Sequence, residues 1–287
     1  MTSAFTSLVH MLRHRAAADT EQTAFVFLVG DCLQESRLTY GQLDREARAV
    51  AVGLAKCNVL GQPVLLLEPP GLRFMAALFG CLYAGAIVVP CYPPASRERA
   101  KTSSRFLRVI QDVQPAVVIG SSKSLETAKG LIETELSFLD LGFLTAQAGD
   151  DWVEPELSQS DIALIQYTSG STSAPKGVTL SHGNFLTNLQ AIAIATDVSA
   201  SSVGVSWLPP YHDMGLTCIL LPVYVGFMVV HMSPNQFLFR PRCWLDAITR
   251  YRGTICTAPN FAYEICATRI PEEQRTQFNL GSWQVAL

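Results

Sequence analysis

One short segment of the sequence combines hydroxyl side chains, glycines and a single lysine. Residues 166–177 read QYTSGSTSAPKG, with two glycines, five serines or threonines and no acidic residue. Hydroxyl groups and glycine-rich backbone can donate hydrogen bonds, and a lysine ammonium is a mobile positive charge. The segment therefore predicts a phosphate-binding loop. A flexible serine-rich linker is the alternative, but such a linker is not usual directly between a buried strand and an amphipathic helix.

Three better-known phosphate or nucleophile signatures are absent from the chain. No two glycines stand two residues apart, which excludes the Gly-x-Gly-x-x-Gly dinucleotide fingerprint. No lysine follows a glycine directly, which excludes the Walker A order, and no serine is framed by glycines in the Gly-x-Ser-x-Gly pattern of hydrolases. The prediction of a phosphate-binding loop at residues 166–177 therefore depends only on the hydrogen-bond donors of that segment.

A second polar cluster, SWLPPYHDMGLT, occupies residues 206–217. His212 next to Asp213 suggests an acid–base couple, although residues adjacent in sequence seldom face each other. The alternative is a buried structural histidine in a tight turn that Gly215 ends. The residue types alone leave both interpretations open.

Short apolar runs alternate with helical patterns along the chain. Strands are expected at PVLLLE (63–68), AIVVP (86–90), PAVVIG (115–120), IALIQY (162–167), GVSWLP (204–209) and TICTA (254–258), with helices from about Arg73, over 97–112 and over 181–195. The alternation predicts an α/β fold with mostly parallel sheets flanked by helices. A polar connector at 143–160 suggests a division into two α/β halves near 150–160. The polar clusters follow the carboxyl ends of predicted strands. Ligands of open parallel sheets bind at these ends.

Composition limits the class of protein. The 287 residues are 49% hydrophobic and 16% charged with a formal charge of −3, which indicates a globular chain and no nucleic-acid-binding track. The eight cysteines include no Cys-x-x-Cys pair, so no zinc or other metal site is identified. The first residues do not read as a secretory leader, and a cytoplasmic location is expected. Glycine and proline interrupt the apolar stretches at 74–96 and 218–230, so no membrane span is expected.

The segment YTSGSTSAPKGV resembles the phosphate loop of the adenylate-forming superfamily, which includes acyl-CoA synthetases, luciferases and adenylation domains of nonribosomal peptide synthetases. The family's loop commonly has glycine where this chain has Ser173. The resemblance implies that ATP, with Mg²⁺, is the cofactor. It also implies that a set of loop residues binds the ATP phosphates, namely Thr168, Ser169, Gly170, Ser171, Thr172 and Lys176.

The segment SWLPPYHDMGLT is similar to the histidine motif of fatty acyl-AMP ligases, and residues 89–119, 253–266 and 282–287 also resemble that branch. The resemblance implies that His212 is catalytic, near the acyl carboxylate and the α-phosphate. It implies an acyl pocket formed by His212, Asp213, Met214, Gly215, Asn260, Phe261 and Tyr263. For the last three residues, ordinary helix packing is the alternative.

The resemblance also implies that residues 1–287 correspond to about the first half of such an enzyme, an incomplete large N-terminal domain. Family members make an acyl-adenylate from a fatty acid and ATP and pass the acyl group to the phosphopantetheine of an acyl carrier protein. The magnesium-binding glutamate, the ribose-binding aspartate and the C-terminal lysine of the family have no counterpart here, so this chain alone is expected to be nearly inactive. An acyl-CoA synthetase and a non-catalytic binding module remain alternatives.

Overall fold

The computed structural model describes residues 5–94, 101–132, 135–168 and 175–287. The strands in these ranges are β1 Thr23–Val29, β2 Gln34–Thr39, β3 Pro63–Leu67, β4 Ile87–Pro90, β5 Val117–Gly120, β6 Phe138–Asp140, β7 Ile162–Thr168, β8 Lys176–Ser181, β9 Val203–Ser206, β10 Met228–His231, β11 Ile255–Cys256 and β12 Val285–Ala286. The helices are α1 Leu8–Ala18, α2 Tyr40–Ala55, α3 Leu72–Tyr83, α4 Lys101–Val113, α5 Ser122–Lys129, α6 Leu141–Thr145, α7 His182–Thr196, α8 Asp213–Val225, α9 Pro234–Phe239, α10 Arg242–Tyr251, α11 Asn260–Arg269 and α12 Glu272–Arg275.

The chain divides into two compact units, each assembled from three separate stretches. The first unit contains Met1–His14, Gln42–Pro69 and Arg73–Thr187, and the second contains Arg15–Gly41, Pro70–Leu72 and Asn188–Leu287. The first unit thus continues beyond the division expected near 150–160. The reason is that β7 pairs in parallel with β4, which keeps residues after the polar connector in the same sheet.

The first unit is built on a six-stranded sheet with the order β6-β5-β3-β4-β7-β8. Neighbouring strands are parallel from β6 to β7, and β8 returns antiparallel to β7. Helix α4 packs one stripe, Phe106, Val109 and Ile110, against buried residues of β3, β4 and β5. That spacing of three and four residues places the three side chains on one helix face. The other face of α4 remains polar, as its sequence suggests.

The second unit contains another six-stranded sheet, with the order β12-β11-β9-β10-β1-β2. All neighbours are parallel except the edge hairpin of β1 and β2. Trp244, Ala247 and Ile248 of α10 join the apolar cluster that includes Val205 and Val230 of the central strands. Side chains alternate between the two faces of a sheet along a strand. The side chains of Ser206 and Val229 therefore lie on the face opposite to α10, where α8 packs.

Side chains from two other helices hydrogen-bond to carbonyls at the C-terminal end of α8. The Arg15 guanidinium donates to the carbonyls of Val223 and Tyr224, and the Tyr40 hydroxyl donates to those of Pro222 and Phe227. Helix C-termini leave such carbonyls without partners of their own. This apolar helix is therefore fixed within the unit by hydrogen bonds to polar side chains from α1 and α2.

The sequence-based fold class is confirmed, because both sheets are mostly parallel and flanked by helices. The expected strands and helices occur, with GVSWLP reduced to β9 and its last three residues in a loop. Strand β8 was not predicted. Its first four residues are exposed. Its sequence therefore lacks the apolar run that predicts a buried strand. Among the described residues, no helix is long and apolar enough to cross a bilayer.

Candidate functional site

In the first unit, the structure shows both ends of the predicted phosphate loop. Thr168 ends β7 and Lys176 begins β8, and the two residues are partners in the antiparallel pairing. The predicted loop residues Ser169, Gly170, Ser171 and Thr172 lie outside the described residues. The hairpin register therefore fixes the two residues from which the loop departs, and both are exposed.

Tyr167 anchors the base of this hairpin to α4. Its hydroxyl donates to the Asp112 carboxylate, and the Arg105 guanidinium donates to its backbone carbonyl at 3.4 Å. Gly177 lies over the ring, because a Cβ on Gly177 would lie 3.1 Å from the Tyr167 Cζ atom. A side chain at position 177 would push against this ring, so the small residue has a packing reason.

In the second unit, α7, α8 and the sheet enclose a cavity of about 430 Å³. Its lining is predominantly apolar. The residues that border it are Asn188, Ile192, Gly204, Val205, Ser206, Asp213, Met214, Thr217, Cys218, Leu221, Pro222, Phe227, Val229, Ile255, Thr257 and Leu287. Small-molecule sites are typically apolar cavities of about 300–1,000 Å³ with few polar groups. The cavity has the size and chemistry of a binding site for an apolar ligand.

Three polar residues of the cavity wall lie together. The Cys218 thiol lies beside Ser206 and Thr257, and burial raises its pKa above the ordinary value. A thiol in this state is a weak nucleophile. Cys218 is therefore a small lining residue of the cavity.

The predicted catalytic histidine lies at the start of α8. His212 is the residue before the helix, in extended backbone conformation, and its side chain is exposed. Its Nδ1 contacts the Asp213 carboxylate, so the neighbouring pair does meet in space. Asp213 and Met214 border the cavity. The histidine thus stands at the end of the helix that forms one wall of the cavity.

Gly215 permits the tight turn that presents this histidine. A Cβ at position 215 would lie 1.9 Å from the carbonyl oxygen of Pro209, a distance that no side chain allows. The same carbonyl accepts a hydrogen bond of 3.0 Å from the His212 backbone amide. The first turn of α8 therefore packs directly against the loop that follows β9.

The other three predicted acyl-pocket residues lie on α11. Asn260 and Phe261 are exposed, and the Phe261 ring contacts the Trp207 ring edge-on at 6.0 Å between centroids. Tyr263 stacks with Trp283 at 6.1 Å. Tyr263 belongs to the aromatic cluster on the α10 side of the sheet, and none of the three borders the cavity described above.

Sequence reasoning missed most of the cavity wall. Met214, Thr217, Cys218 and Leu221 recur at intervals of three and four residues, so they share one face of α8. The periodicity is hard to recognise in the sequence, because the other residues of this stretch are mostly apolar as well. Asn188 and Ile192, one helical turn apart on α7, supply the facing wall.

His231 is a buried histidine whose position follows from a proline. Pro222 lies inside α8 and has no amide hydrogen, so the carbonyl four residues earlier, at Cys218, lacks its usual helical donor. The His231 ring lies close to that carbonyl, which acts to raise the pKa of the ring. Burial lowers the pKa of His231 to about 3. The residue is thus a neutral structural partner of the helix at neutral pH.

Comparison with known proteins decides the family. The family model described as AMP-binding enzyme matches residues 12–287. The chain belongs to the AMP-binding enzyme family. This AMP-binding chain is 37% identical over 98% of its length to a medium-chain-fatty-acid acyl-carrier-protein ligase of Moorena producens, and it covers 49% of that protein. It is 32% identical over 96% of its length to a long-chain-fatty-acid AMP ligase of Mycobacterium tuberculosis, of which it covers 50%.

A solved structure supports the same branch of the AMP-binding family. The fatty acyl-adenylate ligase from L. pneumophila, in complex with acyl adenylate and pyrophosphate, superimposes with a TM-score of 0.91. The sequences are 38% identical, and the match covers 99% of this chain and 49% of that one. The AMP-binding chain therefore spans about half the length of the relatives it matches.

Proposed function

We propose that this chain supplies the fatty-acid pocket and part of the ATP-binding surface of a fatty acyl-AMP ligase, and that it corresponds to the N-terminal half of such an enzyme. The observation that carries the proposal is the apolar cavity beside α8. An alkyl chain buried there leaves water, which favours binding by roughly 0.8 kcal/mol per methylene. The relatives named for medium- and long-chain fatty acids support this substrate class.

The fatty-acid carboxylate is assigned to the N-terminal end of α8. The amides of a helix N-terminus and its dipole favour an anion, and the exposed His212 imidazole stands there. In adenylation, a carboxylate oxygen attacks the α-phosphorus of ATP and pyrophosphate leaves. A hydrogen bond from His212 to the oxygens that gain charge would stabilise the transition state. Asp213 would orient the ring through Nδ1.

ATP phosphates are assigned to the hairpin of the first unit. Thr168 offers a hydroxyl and Lys176 a positive charge at the two ends of the loop, and both residue types suit phosphate oxygens. The part of the chain that the structure describes holds no cluster of three metal-ligating side chains. Mg²⁺ bound to the phosphate oxygens would neutralise part of their charge.

The acyl acceptor is assigned as the phosphopantetheine thiol of an acyl carrier protein. The Moorena producens relative is named as a ligase that uses this carrier. A thiol acceptor completes the chemistry, because an acyl-adenylate is a mixed anhydride that a thiol cleaves with release of AMP. A cytoplasmic location, where ATP and carrier proteins occur together, accompanies this proposal.

Fatty-acid binding to the 287-residue chain tests the proposal directly. Titration with a homologous series of fatty acids should show the dissociation constant falling by up to about fourfold per added methylene until the cavity is filled. Cys218→Phe should fill the cavity and weaken binding of the longest tight ligand by tenfold or more. An affinity independent of chain length would contradict the assignment.

The matched control for that variant is Ile194→Phe on α7, because the Ile194 side chain is 72% exposed and does not border the cavity. It adds an aromatic ring to the same unit without filling the cavity, so binding should be unchanged. Circular dichroism of both variants checks that each is folded. Equal loss of binding in the two variants would remove the cavity from the proposal.

Trapping of acyl-adenylate with hydroxylamine tests whether this chain completes the reaction. With Mg-ATP and a fatty acid, we expect no acyl-hydroxamate above the level given by Lys176→Ala. The reason is that the chain spans about half the length of the relatives it matches, and losing one oxyanion donor costs about 3 kcal/mol. Hydroxamate that forms with the unmodified chain and disappears in Lys176→Ala would show that the residues present here suffice.

A further inference from the structure

Cys32 and Cys243 form a pair of neighbouring thiols in the second unit. Cys32 lies in the turn between β1 and β2, with a left-handed backbone φ of 71°, and Cys243 lies in the first turn of α10. The Cys243 Sγ is 3.7 Å from the carbonyl oxygen of Asp31, the residue before Cys32. Both cysteines belong to the same buried cluster, and each thiol is the largest influence on the pKa of the other. Folding thus brings together two sulfurs that are far apart in sequence.

The surroundings make the two sulfurs chemically unequal. The pKa of Cys243 is lowered, first by the neighbouring Cys32 thiol and further by Arg240 and Arg242, against the opposing effects of burial and Asp246. The neighbouring Cys243 thiol and burial raise the pKa of Cys32. Cys243 also lies at the positive end of the α10 dipole, a position that favours a thiolate. Cys243 is therefore the nucleophile of the pair and Cys32 the protonated partner.

A second cavity lies close to the two buried thiols. Cys32 is 8% exposed and Cys243 is 3% exposed. A separate cavity of about 360 Å³ is bordered by Asp31, Gln236 and Arg240. Asp31 contacts the Cys243 sulfur, and the Gln236 Nε2 atom lies 3.8 Å from the Cys32 sulfur. The cavity therefore borders residues that contact each sulfur, and the low exposure of both sulfurs excludes a bulky reagent.

We propose that Cys32 and Cys243 are a modification site at which a hydroperoxide converts the two thiols into a disulfide. The Cys243 thiolate attacks one peroxide oxygen, the O–O bond breaks, and hydroxide or an alkoxide leaves with the electron pair. The resulting Cys243 sulfenic acid is attacked by the Cys32 sulfur, which forms the S–S bond. The sulfenic oxygen leaves as water, with the Cys32 proton. Two thiols are oxidised and one peroxide is reduced.

Peptide mapping of the 287-residue chain after treatment with dilute hydrogen peroxide tests this site without any substitution. Denatured, alkylated samples should show all eight thiols before treatment and two fewer afterwards. The lost thiols should appear in one cross-linked peptide pair containing Cys32 and Cys243, and dithiothreitol should restore them. Eight free thiols after treatment, or a cross-link between other cysteines, would overturn the proposal.

Substitutions then separate the two roles. Cys32→Ser should leave a sulfenic acid on Cys243 that dimedone labels, whereas Cys243→Ser should give neither label nor cross-link at these positions. Cys57→Ser is the matched control, since Cys57 is a partly exposed cysteine of the first unit, and it should cross-link as the unmodified chain does. Arg240→Gln should slow the reaction severalfold. Dimedone labelling of Cys32 in the Cys243→Ser variant would reverse the assigned roles.

Discussion

At the scale of the residue, Gly215 decides how closely α8 approaches the loop before it. The Pro209 carbonyl occupies the space that a Cβ would need, and that carbonyl is also the acceptor for the His212 amide. Backbone atoms cannot rotate away as a flexible side chain can. The glycine therefore sets the position of the histidine, although it takes no part in any chemistry.

Gly215→Ala should accordingly destabilise the second unit by about 1–3 kcal/mol, the usual cost of inserting atoms into a packed site. It should also weaken fatty-acid binding, because the His212 turn has to move. Urea denaturation followed by tryptophan fluorescence measures the first effect. Gly71→Ala is the control, since its Cβ would meet nothing within 4 Å. Equal stability of the two variants would show that the turn relaxes without cost.

Single residues also show where sequence reasoning was sufficient and where it was not. His212, Asp213 and Met214 were named from their motif, and the structure places the last two at the cavity. Thr217 and Cys218 were not named, because each is small, uncharged and common in ordinary helices. Their importance comes only from the strands that face them. The roles assigned to the loop residues and to Asn260, Phe261 and Tyr263 stay predictions.

At the scale of the element, the continuous apolar sequences of β3 and β5 were predicted as strands, whereas those of β1 and β10 were not. β3 and β5 are buried on both faces, so their sequences carry an unbroken hydrophobic signal. β8 is an exposed edge strand that depends on hydrogen bonds to β7. The pairing of β8 with β7 depends on the rest of the sheet, so the local sequence KGVTLS does not indicate it. The same reasoning explains why the polar hairpin strand β2 was missed.

At the scale of the whole molecule, each unit contains a buried histidine held in the neutral form. Burial lowers the pKa of His182 to about 4, and its Nδ1 accepts the Leu8 amide at 3.1 Å. Burial lowers the pKa of His231 to about 3. In the unfolded chain both would titrate near 6.5. Between these values the unfolded chain binds more protons, so stability falls as the pH falls.

Acidification from pH 7 to 5 should therefore reduce the free energy of unfolding, with a slope that approaches 1.4 kcal/mol per pH unit for each histidine below about pH 6.5. His182→Gln keeps an acceptor for Leu8 but does not titrate, so its stability should depend less on pH over this interval. Urea midpoints at each pH provide the measurement. Parallel pH profiles for the variant and the unmodified chain would show that His182 is not held neutral.

The discontinuous make-up of the second unit also governs the order in which this protein can assemble on the ribosome. β1 pairs with β10, and Phe25 is the partner of Val229. This edge of β1 therefore has no hydrogen-bonding partner until Val229 has been synthesised. At ordinary rates of translation, about 200 residues take roughly 10–40 s to synthesise. During that interval the buried sequence TAFVFLV is exposed in the nascent chain. Efficient production of this protein should therefore depend on factors that shield early strands until their partners emerge.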